Sequence, residues 1–118
     1  MDGKLFQIDV SDVSVASPTH PCVFKTLAAL AGQGVLPDGM LYALDGDGKL
    51  IPYDRAGVAP ANALKGVLSK SIDTATDDAA IGIIHGTVNT EKLVHGAAGD
   101  AVTAADLAAL EAIMIYPQ

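Results

Sequence analysis

Apolar residues recur at every second position near the start of the chain, at Phe6, Ile8 and Val10 and then at Val13 and Val15, within Leu5 to Val15. A period of two predicts a half-buried strand, which needs a partner for its apolar face. Ser17-Pro18-Thr19-His20-Pro21 follows, and its two prolines favour extended or turned backbone. The boundary between an N-terminal arm, residues 1–21, and a body, residues 22–118, is placed here. Lys25 to Ala31 is rich in Leu and Ala and reads as a short helix stopped by Gly32 and Gly34. After the turn chemistry of Leu36-Pro37-Asp38-Gly39, Met40 to Leu44 reads as a strand, and Asp45-Gly46-Asp47-Gly48 turns the chain into a second one, Lys49 to Tyr53. A two-residue and a four-residue loop both put Tyr42, Leu44, Ile51 and Tyr53 on one face of this hairpin. Pro52 lacks an amide donor and marks an edge or a bulge.

Arg55 to Asn62, with Gly57 and Pro60, reads as a surface loop. Ala63 to Ser69 and Ala79 to Val88 are β-prone runs separated by the polar Asp73 to Asp78, and together they suggest a small sheet or barrel. Thr103 with Asp106 three residues on resembles a capping box, and Leu107, Leu110 and Met114 give a helical stripe. Ile113 to Tyr116 is β-prone and reads as a closing strand leaving that helix. The pattern as a whole predicts one α+β domain, mostly β, with short helices and an extended N-terminal arm.

Composition narrows the picture. A chain of 118 residues suits one domain, and with half its residues hydrophobic but only 4% aromatic and no Trp, the core must be close-packed Ala, Val, Ile and Leu. The net charge of -7 and pI near 4.5 oppose binding to nucleic acid, because phosphate neutralisation needs clustered Lys and Arg. Cys22 is the only cysteine, so an intrachain disulfide is impossible, and a buried, inert thiol is the reading it receives. The apolar stretches fall far short of the roughly 20 residues that span a bilayer. Met1-Asp2-Gly3-Lys4 does not resemble a secretory signal, which leads to the expectation of a soluble product kept in the cytoplasm.

Candidate chemistry is sparse. Asp45-Gly46-Asp47-Gly48 invites a calcium reading, but with Gly48 at the sixth loop position the first ligand would be Ala43, and with Asp45 first the last would be Ala56. Asp73, Asp77 and Asp78 lack the spacing of a metal or acid-base site and read as a solvated loop. His20, His85 and His95 have no GxSxG elbow and no local signature around Cys22 to serve, and His85 reads as a structural histidine. Neither Gly32-Gln33-Gly34 nor Gly82 to Gly86 forms a phosphate-binding loop. No catalytic residue, metal or cofactor is expected.

The order of the segments from about Leu27 to Tyr116 resembles the head decoration proteins of lambda-like tailed phages. The resemblance is carried by Leu36-Pro37-Asp38-Gly39, Asp47-Gly48-Lys49-Leu50, Pro52-Tyr53-Asp54, Gly66-Val67-Leu68, Gly86-Thr87-Val88 and the Ala- and Leu-rich Ala104 to Leu110. It implies a barrel- or tulip-like, mostly β body that forms a homotrimer on three-fold positions of the expanded head, where it stabilises the shell. It also implies an arm that orders by pairing with strands of the major capsid protein, a role for which Phe6, Ile8, Val10, Val13 and Val15 are suited by their alternation. The expected location is the outer surface of the virion head after synthesis in the host cytoplasm. The alternatives are a tail, fibre or receptor-binding structural module, and a small hydrolase or ligand-binding barrel, which would need a pocket joining His85 or His95 to Asp73 or Asp77.

Overall fold

Leu41, Tyr42, Ala43 and Leu44 show no polar alternation, the mark of a strand covered on both faces. In the computed structural model, which describes Val15, Ala16 and residues 22–118, they form β3 (Leu41–Leu44), inside a six-stranded sheet. Around it lie β1 (Val23–Ala28), β4 (Leu50–Pro52), β5 (Gly66–Leu68) and β7 (Ala79–Val88), in the order β1-β7-β5-β3-β4, while β10 (Ile115–Pro117) adds parallel to β7. Two small ladders flank the sheet, β2 (Val35–Leu36) with β6 (Ile72–Asp73) and β8 (Val94–His95) with β9 (Asp100–Ala101). Among the described residues the one α-helix is α1 (Ala104–Ala112). The protein is thus a small, mostly β domain of the α+β class.

Successive residues of β3 point into two different cores. Tyr42 joins Leu27, Leu36, Met40, Leu50, Leu68 and Ala80 on one face. Leu41 and Ala43 join Tyr53, Val67, Ile83 and Val88 on the other, under Leu110 of α1 and Ile115 of β10. Full burial of a Leu or Ile such as Leu110 or Ile115 contributes roughly 1.5–3 kcal/mol. A bulge keeps β7 in register with this arrangement: Phe24 faces Ile83 and Val23 faces His85, so Ile84 is the extra residue. The flip it causes lets Ile83 and Val88, an odd number of residues apart, share one core. The sheet stays open, although it curls enough for Ala29 to bridge Leu50 of β4.

The first core is built around a close approach. Tyr42 lies over Gly66 and Gly82: a Cβ on Gly82 would fall 2.5 Å from the Tyr42 hydroxyl, and one on Gly66 would fall 2.7 Å from it while overlapping the Ile83 carbonyl oxygen. Glycine at both sites makes room for the ring.

Three expectations need correction. Lys25 to Ala31 is no helix: residues 23–28 are β1, antiparallel to β7. Val23, Phe24 and Thr26 favour a strand, and pairing along β7 outweighs the helical preference of Leu27 and the alanines. The hairpin register is also shifted by one. Tyr42 faces Pro52, Ala43 faces Ile51 and Leu44 faces Leu50, so Tyr42 and Tyr53 lie on opposite faces. The cause is a loop of odd length: the Gly48 amide donates to the Asp45 carbonyl at 3.0 Å, Asp45 N–H donates to the Lys49 carbonyl at 2.9 Å, and Gly48 has φ 80°. This is a type I turn closed by a left-handed glycine, a three-residue connection. Last, Met114 is not part of the helical stripe. It is exposed, with φ 65°, and reverses the chain from α1 into β10.

The strands expected at Met40 to Leu44, Lys49 to Tyr53, within Ala63 to Ser69, over Ala79 to Val88 and at the C-terminal end are present. The Thr103–Asp106 capping box is formed in both directions.

The Tyr42 hydroxyl is buried without a hydrogen-bond partner, and burial pushes its pKa up to about 12 from 10.0. A raised folded-state pKa means stability is intact below pH 10 and falls between pH 10 and about 12. Tyr42→Phe should therefore be neutral or stabilising by up to about 1 kcal/mol and should shrink the alkaline loss, measured by urea unfolding from pH 7 to 12. Gly66→Ala should cost about 3 kcal/mol, because carbonyl and ring both block it, and more than Gly82→Ala.

Candidate functional site

The densest polar constellation was not anticipated. It joins the turn after β4 to the N-terminus of α1. The fixed points are the two ends of the capping box: Thr103 N–H donates to Asp106 Oδ2 at 3.0 Å, and Asp106 N–H donates to Thr103 Oγ1 at 3.3 Å. Arg55 reaches in from the loop to pair with Asp106 Oδ1, and the same nitrogen donates to Thr103 Oγ1 at 3.1 Å. The Asp106 side chain is 0% exposed and that of Arg55 39%. Tyr53 and His95 lie alongside, with ring centroids 5.6 Å apart in an edge-on contact, and His95 Nε2 accepts a long 3.4 Å bond from the Arg55 amide.

The electrostatics follow from this packing. Burial drives the Asp106 carboxyl up, but the Thr103 amide, the Arg55 guanidinium and the charge of His95 outweigh it, leaving the group below its usual value. Burial raises the Tyr53 phenol, and the Asp106 charge adds to the rise. Both oxygens of Asp106 are engaged by donors, so the carboxylate has little capacity left to act as a base. Its physical effect is to strap the loop to α1. That loop is further closed by Asp54 N–H to the Ala61 carbonyl at 2.9 Å and Gly57 N–H to the Asp54 carbonyl at 3.0 Å, and it presents the exposed Val58.

The residues singled out from sequence are scattered. Asp45 Oδ1 accepts the amides of Asp47 and Lys49, both at 2.9 Å, inside its own hairpin. Asp73 Oδ1 accepts the Ala75 amide and Asp77 Oδ2 the Asp73 amide, so these acids shape the β6–β7 turn. His85 is exposed on β7 opposite Val23, and His95 lies beside Tyr53 and Arg55; neither joins Asp73 or Asp77. Cys22 is half-buried, and its thiol donates to the Thr87 carbonyl at 3.2 Å. Among the described residues no group of three His, Cys, Asp or Glu side chains converges to hold a metal ion, and no helix is long and apolar enough to cross a membrane.

Of the five arm residues, Phe6, Ile8, Val10 and Val13 lie outside the described residues, as does His20. Val15 is described, and it is a core residue of the body: 1% exposed, it packs with Val88, Leu110 and Ile115. Its carbonyl accepts the Asn89 amide at 2.8 Å, and Ala16 bridges Val88. The body therefore includes residues 15 and 16, on the N-terminal side of the Pro-rich segment.

The chain matches no protein-family model, and no curated protein is detectably similar to it.

A depressed carboxyl pKa contributes stability that is present above the unfolded value, roughly 4, and is lost as pH falls through the lower folded value. Asp106→Ala should remove the cap and the strap together and cost about 2–3 kcal/mol at pH 7. Arg55→Met should cost less than Asp106→Ala, because the guanidinium is partly solvated. Denaturant titrations at pH 7 and pH 3 should show the Asp106→Ala penalty shrinking in acid. An equal penalty at both values would mean that the charge is irrelevant.

Proposed function

We propose that this chain is a structural virion protein that binds the outer surface of an expanded phage head as a homotrimer at three-fold positions and stabilises the shell. The observation that carries the reading is where the decoration-like segments fall in the fold. Leu36-Pro37-Asp38-Gly39 leads from β2 towards β3, Asp47-Gly48-Lys49-Leu50 turns β3 into β4, and Pro52-Tyr53-Asp54 leaves β4. Gly66-Val67-Leu68 is β5, Gly86-Thr87-Val88 ends β7, and Ala104 to Leu110 lies in α1. Each segment that resembles the family occupies a distinct turn, strand or helix of one sheet-centred body.

The charge of -7 supports the reading, since an acidic coat is repelled by the packaged DNA. Gripping is assigned to the arm before Val15. Phe6, Ile8, Val10 and Val13 would select among capsid strands, while backbone hydrogen bonds supply affinity. A trimer engaging several capsid subunits gains avidity beyond any single contact.

The test is co-sedimentation with expanded heads. The intact protein should sediment with them, and a chain lacking residues 1–14 should fold and stay in the supernatant. Normal decoration by the shortened chain would sink the arm's role, and failure of the intact chain to bind any expanded head would sink the function. Removing residues 1–16 instead should cost a further 2 kcal/mol or so, since it takes Val15 from the core.

A further inference from the structure

β1 is an edge strand. β7 pairs with one side of it, and the other side is tied only at its end, where Ala29 bridges Leu50 and Leu30 N–H donates to the Leu50 carbonyl at 3.3 Å. No described residue pairs with that side from Val23 to Leu27. The surface beside it is apolar: Phe24 is 49% exposed and Ile81 46%, on the same sheet face as the buried Ile83. Lys25, exposed, points to the opposite face. An edge of Val, Phe and Thr with an uncovered apolar margin and one lysine is a template for another strand.

The chain carries a strand that fits it. In Leu5-Phe6-Gln7-Ile8-Asp9-Val10, one side is Phe6, Ile8 and Val10 and the other Gln7 and Asp9. Beside β1, the first set extends the Phe24 and Ile81 margin while Asp9 comes to the Lys25 side. The opposite charges that this pairing brings together are those of Asp9 and Lys25.

Ala16 bridges β7 antiparallel at Val88, and Val15 accepts from the Asn89 amide, so the arm joins the body at the end of β7 away from Ala79. β1 pairs with β7 in the other direction, from His85 back to Ala79. Reaching its own β1 would require the chain to reverse within residues 11–14, whereas a neighbour's edge requires no reversal.

We propose that Leu5–Val10 of one copy adds as a strand to the free edge of β1 of a second copy, with Phe6, Ile8 and Val10 over Phe24 and Ile81 and Asp9 beside Lys25. The two surfaces differ, so the exchange is either reciprocal, giving a dimer, or head-to-tail, giving a ring. A ring of three is the size the decoration reading requires, and that number alone rests on it. The exchange describes the free protein; on a shell, capsid strands compete for the same arm.

Sedimentation equilibrium of full-length chains, with amide hydrogen exchange, tests this without any capsid, so its failure is distinct from a failure to bind heads. The intact protein should be a closed oligomer with slowly exchanging β1 amides. Ile8→Pro, which removes an amide from the donor strand, should be a folded monomer with fast exchange in β1. Lys25→Glu, a surface change, should raise the concentration for half-assembly about tenfold, and adding Asp9→Lys should restore it. A monomeric intact protein, an Ile8→Pro chain that keeps its oligomer, or a charge swap that restores nothing would each overturn the proposal.

Discussion

The placement of one phenol governs the sheet. Tyr42 heads the largest fully buried side chains of a protein whose sequence has only two Phe and three Tyr, and its ring occupies the space that side chains at Gly66 and Gly82 would fill. With no partner for its hydroxyl, the ring is held by shape alone. β3, β5 and β7 are thereby fixed in relation to one another, and with them the alternation that sends Leu41, Ala43, Val67 and Ile83 to the opposite core. A core of small aliphatic residues tolerates few voids, so a single large ring seated over two glycines does much to define one arrangement.

The second core needs an external cover, and the Arg55–Asp106 strap determines where that cover sits. α1 is short, nine residues, too few to be stable alone in water. Its cap, its pairing to the β4-side loop and the burial of Leu110 against the sheet act together. The parallel return of β10 beside β7 then locks the C-terminal end, at the expense of a left-handed Met114.

Much of this was legible in the sequence where the signal was local. The capping box spans three residues, and the runs Met40 to Leu44 and Ala79 to Val88 announced β3 and β7 by their local β-prone composition. What failed depended on distant partners or on one residue of loop length. Leu27 and the alanines become strand only because β7, more than fifty positions on, is there to pair with them. The hairpin face was misassigned because both loop lengths weighed were even, whereas Gly48 closes an odd one, and a slip of one moves every side chain to the other face. Val15 continued the arm's alternation in sequence, yet that same alternation fits the body's core at the end of β7. Arg55 and Asp106 stand 51 positions apart, and nothing in either neighbourhood pointed to the other.

The geometry also accounts for why, among the described residues, one edge of the sheet is apolar and uncovered. Nine helical residues span about 14 Å. β10 shares a side of β7 with another strand, so four strand-to-strand steps of about 4.8 Å put the width of the sheet, from β1 to β4, at about 19 Å. A cover of that length, supplemented by Val15, Leu64 and Leu93, closes over β3, β5 and the β10 end of β7, and Phe24 and Ile81 lie beyond it. Proteins ordinarily protect such an edge with several charges, a proline or a covering element. Here β1 has Lys25 alone. Among the described residues the fold is therefore complete around its two cores and incomplete at β1, the physical condition under which a short alternating segment gains more by joining a sheet than by remaining in water.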